Sequence, residues 1–175
     1  MTLADLSDLS QALGAVAVIA SLVFVGIQVR QNSAITRAQV HQQISDTFTV
    51  YLETMANHSN IIAGGASSRA GMNRLSDEEL LQFSFLMAGL FKIWENAFYQ
   101  YKSGFLDERN WQSNVKWMLT WYHMPGVQTW WRVRKDLFAN EFQVFIESSV
   151  LPVDDRSISE KLREAAQPLT EGAEG

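Results

Sequence analysis

Hydrophobic residues along this chain change their spacing at a few definite places, and each change predicts an element. Leu9 to Val29 is a run of 21 residues without a charge. Its densest part is Val16-Ala17-Val18-Ile19-Ala20-Ser21-Leu22-Val23-Phe24-Val25-Gly26-Ile27. At about 1.5 Å per residue such a run spans roughly 31 Å as a helix, close to the hydrocarbon thickness of a bilayer. A core helix of a globular protein would show a polar face over this length, and here only Ser10, Gln11, Ser21 and Gln28 interrupt the apolar surface. A secretory signal fits less well, because Asp5 and Asp8 precede the run where basic residues would be expected. The segment therefore predicts a single membrane-spanning helix, although no Trp or Tyr brackets it.

Beyond Arg30 no Gly or Pro interrupts Ser33 to Asn57, so the helix is expected to continue to about Met55. Ala34, Ala38, His41, Ile44, Phe48, Tyr51 and Met55 form one stripe at spacings of three and four. Thr47 to Tyr51 alternates like a strand, but no second run offers a pairing partner. Asn57 to Arg74, rich in Asn, Ser and Gly, predicts a turn, a short helix and a loop containing Gly64-Gly65.

Ser76 followed by Glu79 is a capping box, with Leu75 and Leu80 at the spacing of a hydrophobic staple. The helix it opens should run to about Tyr101, with Gly104 as terminator, and is apolar nearly all round. Its charge-free run between Glu79 and Lys92 is only 12 residues, which marks a central buried helix and not a second span. Leu106-Asp107 with Asn110-Trp111 predicts a further helix to about His123, with Trp111, Val115, Met118 and Tyr122 inward. Pro125 should open a helix carrying Trp130, Trp131 and Leu137. Asn140 is expected to cap a last core helix with Phe142, Phe145 and Ile146, ended by Pro152.

The expected fold is all-α: a single N-terminal transmembrane helix continuing into a small helical bundle. Its parts are a short external N-terminus (1–8), the span (9–29), a helical cytoplasmic domain (30–152) and an acidic tail (153–175). The tail should be mostly disordered, with a short helix around Ile158 to Ala166.

Charge sharpens this picture. The formal net charge is −5, but Arg30 to Pro152 carries 11 basic and 11 acidic residues, and the excess acid lies in the tail. A neutral body has no basic footprint for duplex nucleic acid, so nucleic acid is not an expected partner. Arg30 and Arg37 follow the span and nothing basic precedes it within the chain. By the tendency of basic flanks to stay inside, the N-terminus should face outward and the body the cytoplasm. No cysteine is present, which removes disulfides, thiol catalysis and thiolate metal sites.

Candidate chemistry is sparse. Ser10, Gly14, Ala17 and Ser21 line one seam of the span, where small residues let two helix backbones approach. An alanine-rich span also produces such a seam by chance. Trp130, Trp131, Arg132, Arg134 and Lys135 set three cations beside two indoles, a pattern suited to an anionic lipid surface. The same pattern fits a core helix whose cations sit near its C-terminal end. His41, His58 and His123 are isolated, and the Glu-x-x-His pair of di-iron bundles is absent; a Glu53, Glu95 and His41 cluster is geometrically open to neighbouring helices, but a lone His on an apolar face is more often a hydrogen-bonded core residue, and no metal is expected. Glu95 lies among Phe91, Trp94 and Phe98, either as an acid in an apolar pocket or at the solvated edge of its helix, paired with Lys92 or Lys102. No nucleophile elbow or phosphate loop occurs.

Leu22-Val23-Phe24-Val25-Gly26-Ile27-Gln28-Val29-Arg30-Gln31-Asn32 is similar to the membrane-exit sequence of a large group of short uncharacterised bacterial proteins. The similarity continues through Trp94-Glu95-Asn96, Tyr99-Gln100-Tyr101, Gly104 with Leu106-Asp107, Trp111, Trp130-Trp131, Leu137-Phe138 and Glu141-Phe142. This resemblance implies a bacterial source, hence the inner (plasma) membrane, and an anchored helical body, with no known activity, ligand or catalytic residue.

The function expected from these features is a non-enzymatic, membrane-anchored helical interaction module without a cofactor. Its expected partners are membrane lipid and itself or another membrane protein. The alternative is a ligand-binding or sensory domain with an apolar pocket between the aromatic helices.

Overall fold

The computed structural model describes residues 3–149 and 158–166. All regular structure among them is helical: α1 (Leu3–Asn57), α2 (Ser59–Ser67), α3 (Arg69–Met72), α4 (Asp77–Lys102), α5 (Glu108–Tyr122), α6 (Pro125–Arg134), a 3-10 turn (Lys135–Leu137), α7 (Asn140–Ser148) and α8 (Ile158–Ala165). The all-α expectation therefore holds. Residues 3–8 belong to α1, and most of the tail lies outside the described residues, apart from α8 where a short helix was expected. The chain divides into two units, Met1–Ser45 and Asp46–Gly175, with α1 running through the boundary.

In the first unit the only element is α1. An eighteen-residue window within it has mean hydropathy 1.3 and none of that window is buried. By length and composition α1 is the one helix among the described residues able to cross a membrane. The stripe expected after the span is real only in its second half. Ile44 and Met55 are buried and Phe48 and Tyr51 half-buried, whereas Ala34, Ala38 and His41 are exposed.

The second unit is built around α4. Ser76 Oγ accepts from the Glu79 N–H, and Glu79 Oε2 accepts from the Ser76 N–H at 2.8 Å, so the capping box forms. The Glu79 carboxylate accepts from the Ser76 N–H and from the Ser76 hydroxyl, and these two bonds hold it below the usual range. Past the end of α4, Gly104 has φ +75°, a conformation that favours glycine, and the chain turns there. Phe83, Met87, Leu90, Phe91, Trp94 and Ala97 are almost wholly buried. The helix is not enclosed on all sides, however: Leu81 and Phe85 remain more than half exposed.

Phe91 is the hub of the core, with the rings of Trp94, Trp130, Trp131 and Phe138 at centroid distances of 5.2, 5.3, 5.1 and 6.1 Å. A second cluster joins Phe98 to Trp111, Phe142 and Phe145. Burying each such side chain contributes roughly 1.5–3 kcal/mol, and pairing rings adds about 0.5–1.5 kcal/mol.

Helix α5 starts as its sequence predicts, with Asp107 Oδ1 accepting from the Asn110 N–H at 3.0 Å. Its buried residues are Trp111, Met118 and Leu119, while Val115 and Tyr122 are only half-buried, so the inward face is rotated toward Leu119. The C-terminal part of α1 docks on α5 through Phe48, whose ring meets Trp117 edge-on at 5.8 Å.

Gly64-Gly65 lies within α2 and not in a polar loop. Gly65 is buried, and a Cβ there would come within 2.5 Å of the Phe83 ring. A Cβ at Gly126, on α6, would overlap the Gly65 carbonyl oxygen. Paired glycines thus let α2 and α6 pack backbone against backbone, with α4 sealing the joint. Leu137 falls in the 3-10 turn, partly exposed, rather than on α6.

Candidate functional site

Two places collect the residues singled out by sequence. The first is the outer surface of α1. Val16, Ile19, Leu22, Val23, Phe24 and Ile27 are all about half or more exposed. Ser21 Oγ donates to the Ala17 carbonyl at 2.9 Å, so its hydroxyl is satisfied within the helix and can face an apolar medium. Ala17, Val18, Ser21, Leu22 and Val25 line a shallow groove along this face. Gly14 is exposed with open space beside its Cα, while the side chain of Ser10 lies outside the described residues.

The second place is the end of the body where α4, the 3-10 turn and α7 meet. Here Glu95 is buried, which corrects its expected position at a solvated edge, yet the expected pairing with Lys92 is present at 2.7 Å. Glu95 Oε1 also accepts from the backbone N–H of Ala139 at 2.7 Å. Lys92 Nζ in turn donates to the Leu137 carbonyl at 2.8 Å and lies 4.8 Å from the Phe138 ring centroid. Asn140 does not cap α7. It is the first residue of the helix, Ala139 holds the cap position without a side-chain bond, and Glu95 serves that N–H from another helix.

The tryptophans expected at a lipid surface are core residues. Trp130 and Trp131 are 5% and 1% exposed, so they cannot rest on lipid. Trp130 Nε1 donates to Ser84 Oγ and Trp131 Nε1 to Glu147 Oε1, each at 3.1 Å. Lys135 pairs with the same Glu147 oxygen at 2.8 Å. These two bonds, the lysine's first, hold the Glu147 carboxyl below its usual range. Arg132 is exposed and Arg134 half-buried. Adjacent tryptophans can both be buried because α6 is enclosed from more than one side, by α2, α4 and α5.

Among the described residues no three His, Asp or Glu side chains are grouped closely enough to hold a metal ion. Glu95 is taken up by Lys92 and Ala139, which leaves no set with Glu53 and His41. His58 and His123 donate from Nδ1 to the carbonyls of Thr54 and Leu119, at 2.9 and 2.7 Å. A carbonyl only accepts, so Nδ1 carries the proton in both.

One polar residue gave no functional signal in the sequence. Tyr51 fits against Gly89, where a Cβ would come within 2.9 Å of its ring, and its hydroxyl donates to the Leu86 carbonyl. Burial pushes that hydroxyl up to about 12. The glycine in an otherwise apolar helix was the available clue.

No family model matches the chain, and neither does any curated protein or solved structure. The geometry at these two places is therefore what bears on function.

Proposed function

We propose that this chain is a single-pass membrane protein whose helical body works by contact with other proteins, either a second copy or a larger membrane complex. The observation that carries this reading is the uncovered apolar surface of α1 from Leu13 to Val29. Left in water, that surface would be a strong liability for aggregation, and a bilayer covers it without any protein partner. Arg30 and Arg37 favour a body on the cytoplasmic side with the N-terminus outside. The resemblance to short bacterial proteins favours the inner membrane.

Gly14, Ala17 and Ser21 are the residues we assign to helix packing in the bilayer, since small side chains let backbones approach. Among the described residues of the body we find no paired acid and base and no activated nucleophile, and Glu95 has a structural task. The reading is therefore non-enzymatic.

Native mass spectrometry of the full chain, extracted in mild detergent, tests this. A discrete homo-oligomer or a stoichiometric partner supports it, and replacing Gly14 and Ala17 by Leu should then reduce assembly. A bare monomer in both wild type and variant overturns it.

A further inference from the structure

Three ion pairs of the body bear on one stretch of chain, residues 135–149. Lys102 Nζ meets Glu141 Oε2 at 2.7 Å, and Lys135 Nζ meets Glu147 Oε1 at 2.8 Å. The third pair, Lys92 with Glu95, grips the backbone at the entrance to α7, through the Leu137 carbonyl and the Ala139 N–H. Helices α2 and α6 are joined, besides apolar burial, by close backbones at Gly65 and Gly126. The 135–149 stretch reaches the core through Phe138, Phe142 and Ile146, with Phe145 against Phe98 and Trp111. The Lys135–Glu147 pair lies within the stretch, whose link to the body there is the Trp131 Nε1 bond to Glu147, and the Lys102–Glu141 fastening lies largely in water, with side-chain exposures of 47% and 61%. Such pairs hold weakly and are screened by salt. The Glu95 carboxylate, by contrast, is nearly enclosed, so the entrance is the firm point.

We propose that residues 135–149 form a strap that opens as a unit while α2 to α6 stay folded, with Lys92 and Glu95 as its latch. Opening uncovers an aromatic face formed by Phe91, Phe98, Trp111 and Trp131, the rings that Phe138, Phe142 and Phe145 cover in the closed state. Glu95 holds the Ala139 N–H and Lys92 the Leu137 carbonyl, and the two side chains pair with each other, so both backbone contacts depend on one ion pair. Sub-global opening of such cooperative units, at less than the free energy of whole unfolding, is a general property of folded domains.

Hydrogen exchange read by mass spectrometry, on the full chain in detergent, decides this. Amides of 141–148 should exchange at least about tenfold faster than those of Phe83 to Phe98. Raising salt from about 0.05 to about 0.5 M should speed the strap severalfold. Glu95→Gln should accelerate the strap, with α4 speeding by no more than the variant's loss of global stability allows. Lys102→Met leaves the latch intact and guards against a folding defect in the first variant; it too should accelerate the strap. Exchange of strap and α4 at one common rate in the wild type, or a strap rate unmoved by both variants, overturns the proposal.

Discussion

Glu95 does for Ala139 what Glu79 does for Ser76: each carboxylate accepts the backbone N–H at a helix cap, at 2.7 and 2.8 Å. The difference is that Glu79 reaches within its own first turn and Glu95 across 44 residues of sequence. Glu95→Ala leaves a part-buried N–H without an acceptor and Lys92 without its carboxylate. The expected loss is about 2–3 kcal/mol, with Glu95→Gln losing roughly half as much because its amide oxygen can still accept. Denaturant titration followed by near-UV circular dichroism measures both. A change below about 0.5 kcal/mol for the alanine variant would show that this bond contributes little.

The joint between α2 and α6 should tolerate no side chain. Gly126→Ala places a methyl group on the Gly65 carbonyl, a backbone atom that cannot swing aside. We expect a loss of about 3 kcal/mol or more, or failure to fold. Gly14→Ala meets nothing and should leave the stability of the body unchanged. Parallel thermal melts of the two variants separate these outcomes.

Alkaline pH should destabilise the body through Tyr51. Its hydroxyl ionises near the ordinary 10.0 when unfolded and near 12 when folded, so the folded state holds the proton longer. Stability from this group is complete below pH 10 and declines as pH rises from about 10 to 12. Tyr51→Phe should flatten that decline. Absorbance titration of tyrosinate in the folded protein should show one tyrosine fewer ionising near pH 10 than in the unfolded chain on account of Tyr51.

A charge in the middle of the apolar segment tests the membrane reading directly. Val23→Arg adds about 2.5–3.5 kcal/mol to the insertion of a spanning helix. The variant should shift toward the alkaline-extractable fraction of membranes while the wild type stays with the lipid. Equal extraction of both would count against a spanning helix.

What could be read in advance follows the range of the interactions. The capping box at Ser76 and the Asp107 cap act over three residues, so the sequence displays both partners together. The apolar run of α1 was legible for the same reason, since a spanning segment is defined by its own composition. Residues that meet across the fold left no such mark. Glu95 and Ala139 are one case. The Gly65 and Gly126 joint is another, because a glycine pair amid Asn and Ser resembles a loop until its helical partner is known. Trp130 and Trp131 left two readings open in the sequence, a lipid surface or a core helix, and enclosure of α6 from several sides is what puts both inside.

The edge-on meeting of Phe48 with Trp117 gives the molecule an optical gauge of its own. Trp117 is 45% exposed, whereas Trp94 and Trp131 are each 1% exposed, so a dissolved quencher reaches the first and not the others. If residues 46–57 of α1 leave α5, the indole of Trp117 loses its ring neighbour and its emission should redden and quench more readily. Whether the docked segment yields when the apolar N-terminal part of α1 is pulled, bound or cut can thus be followed by light, without attaching any dye.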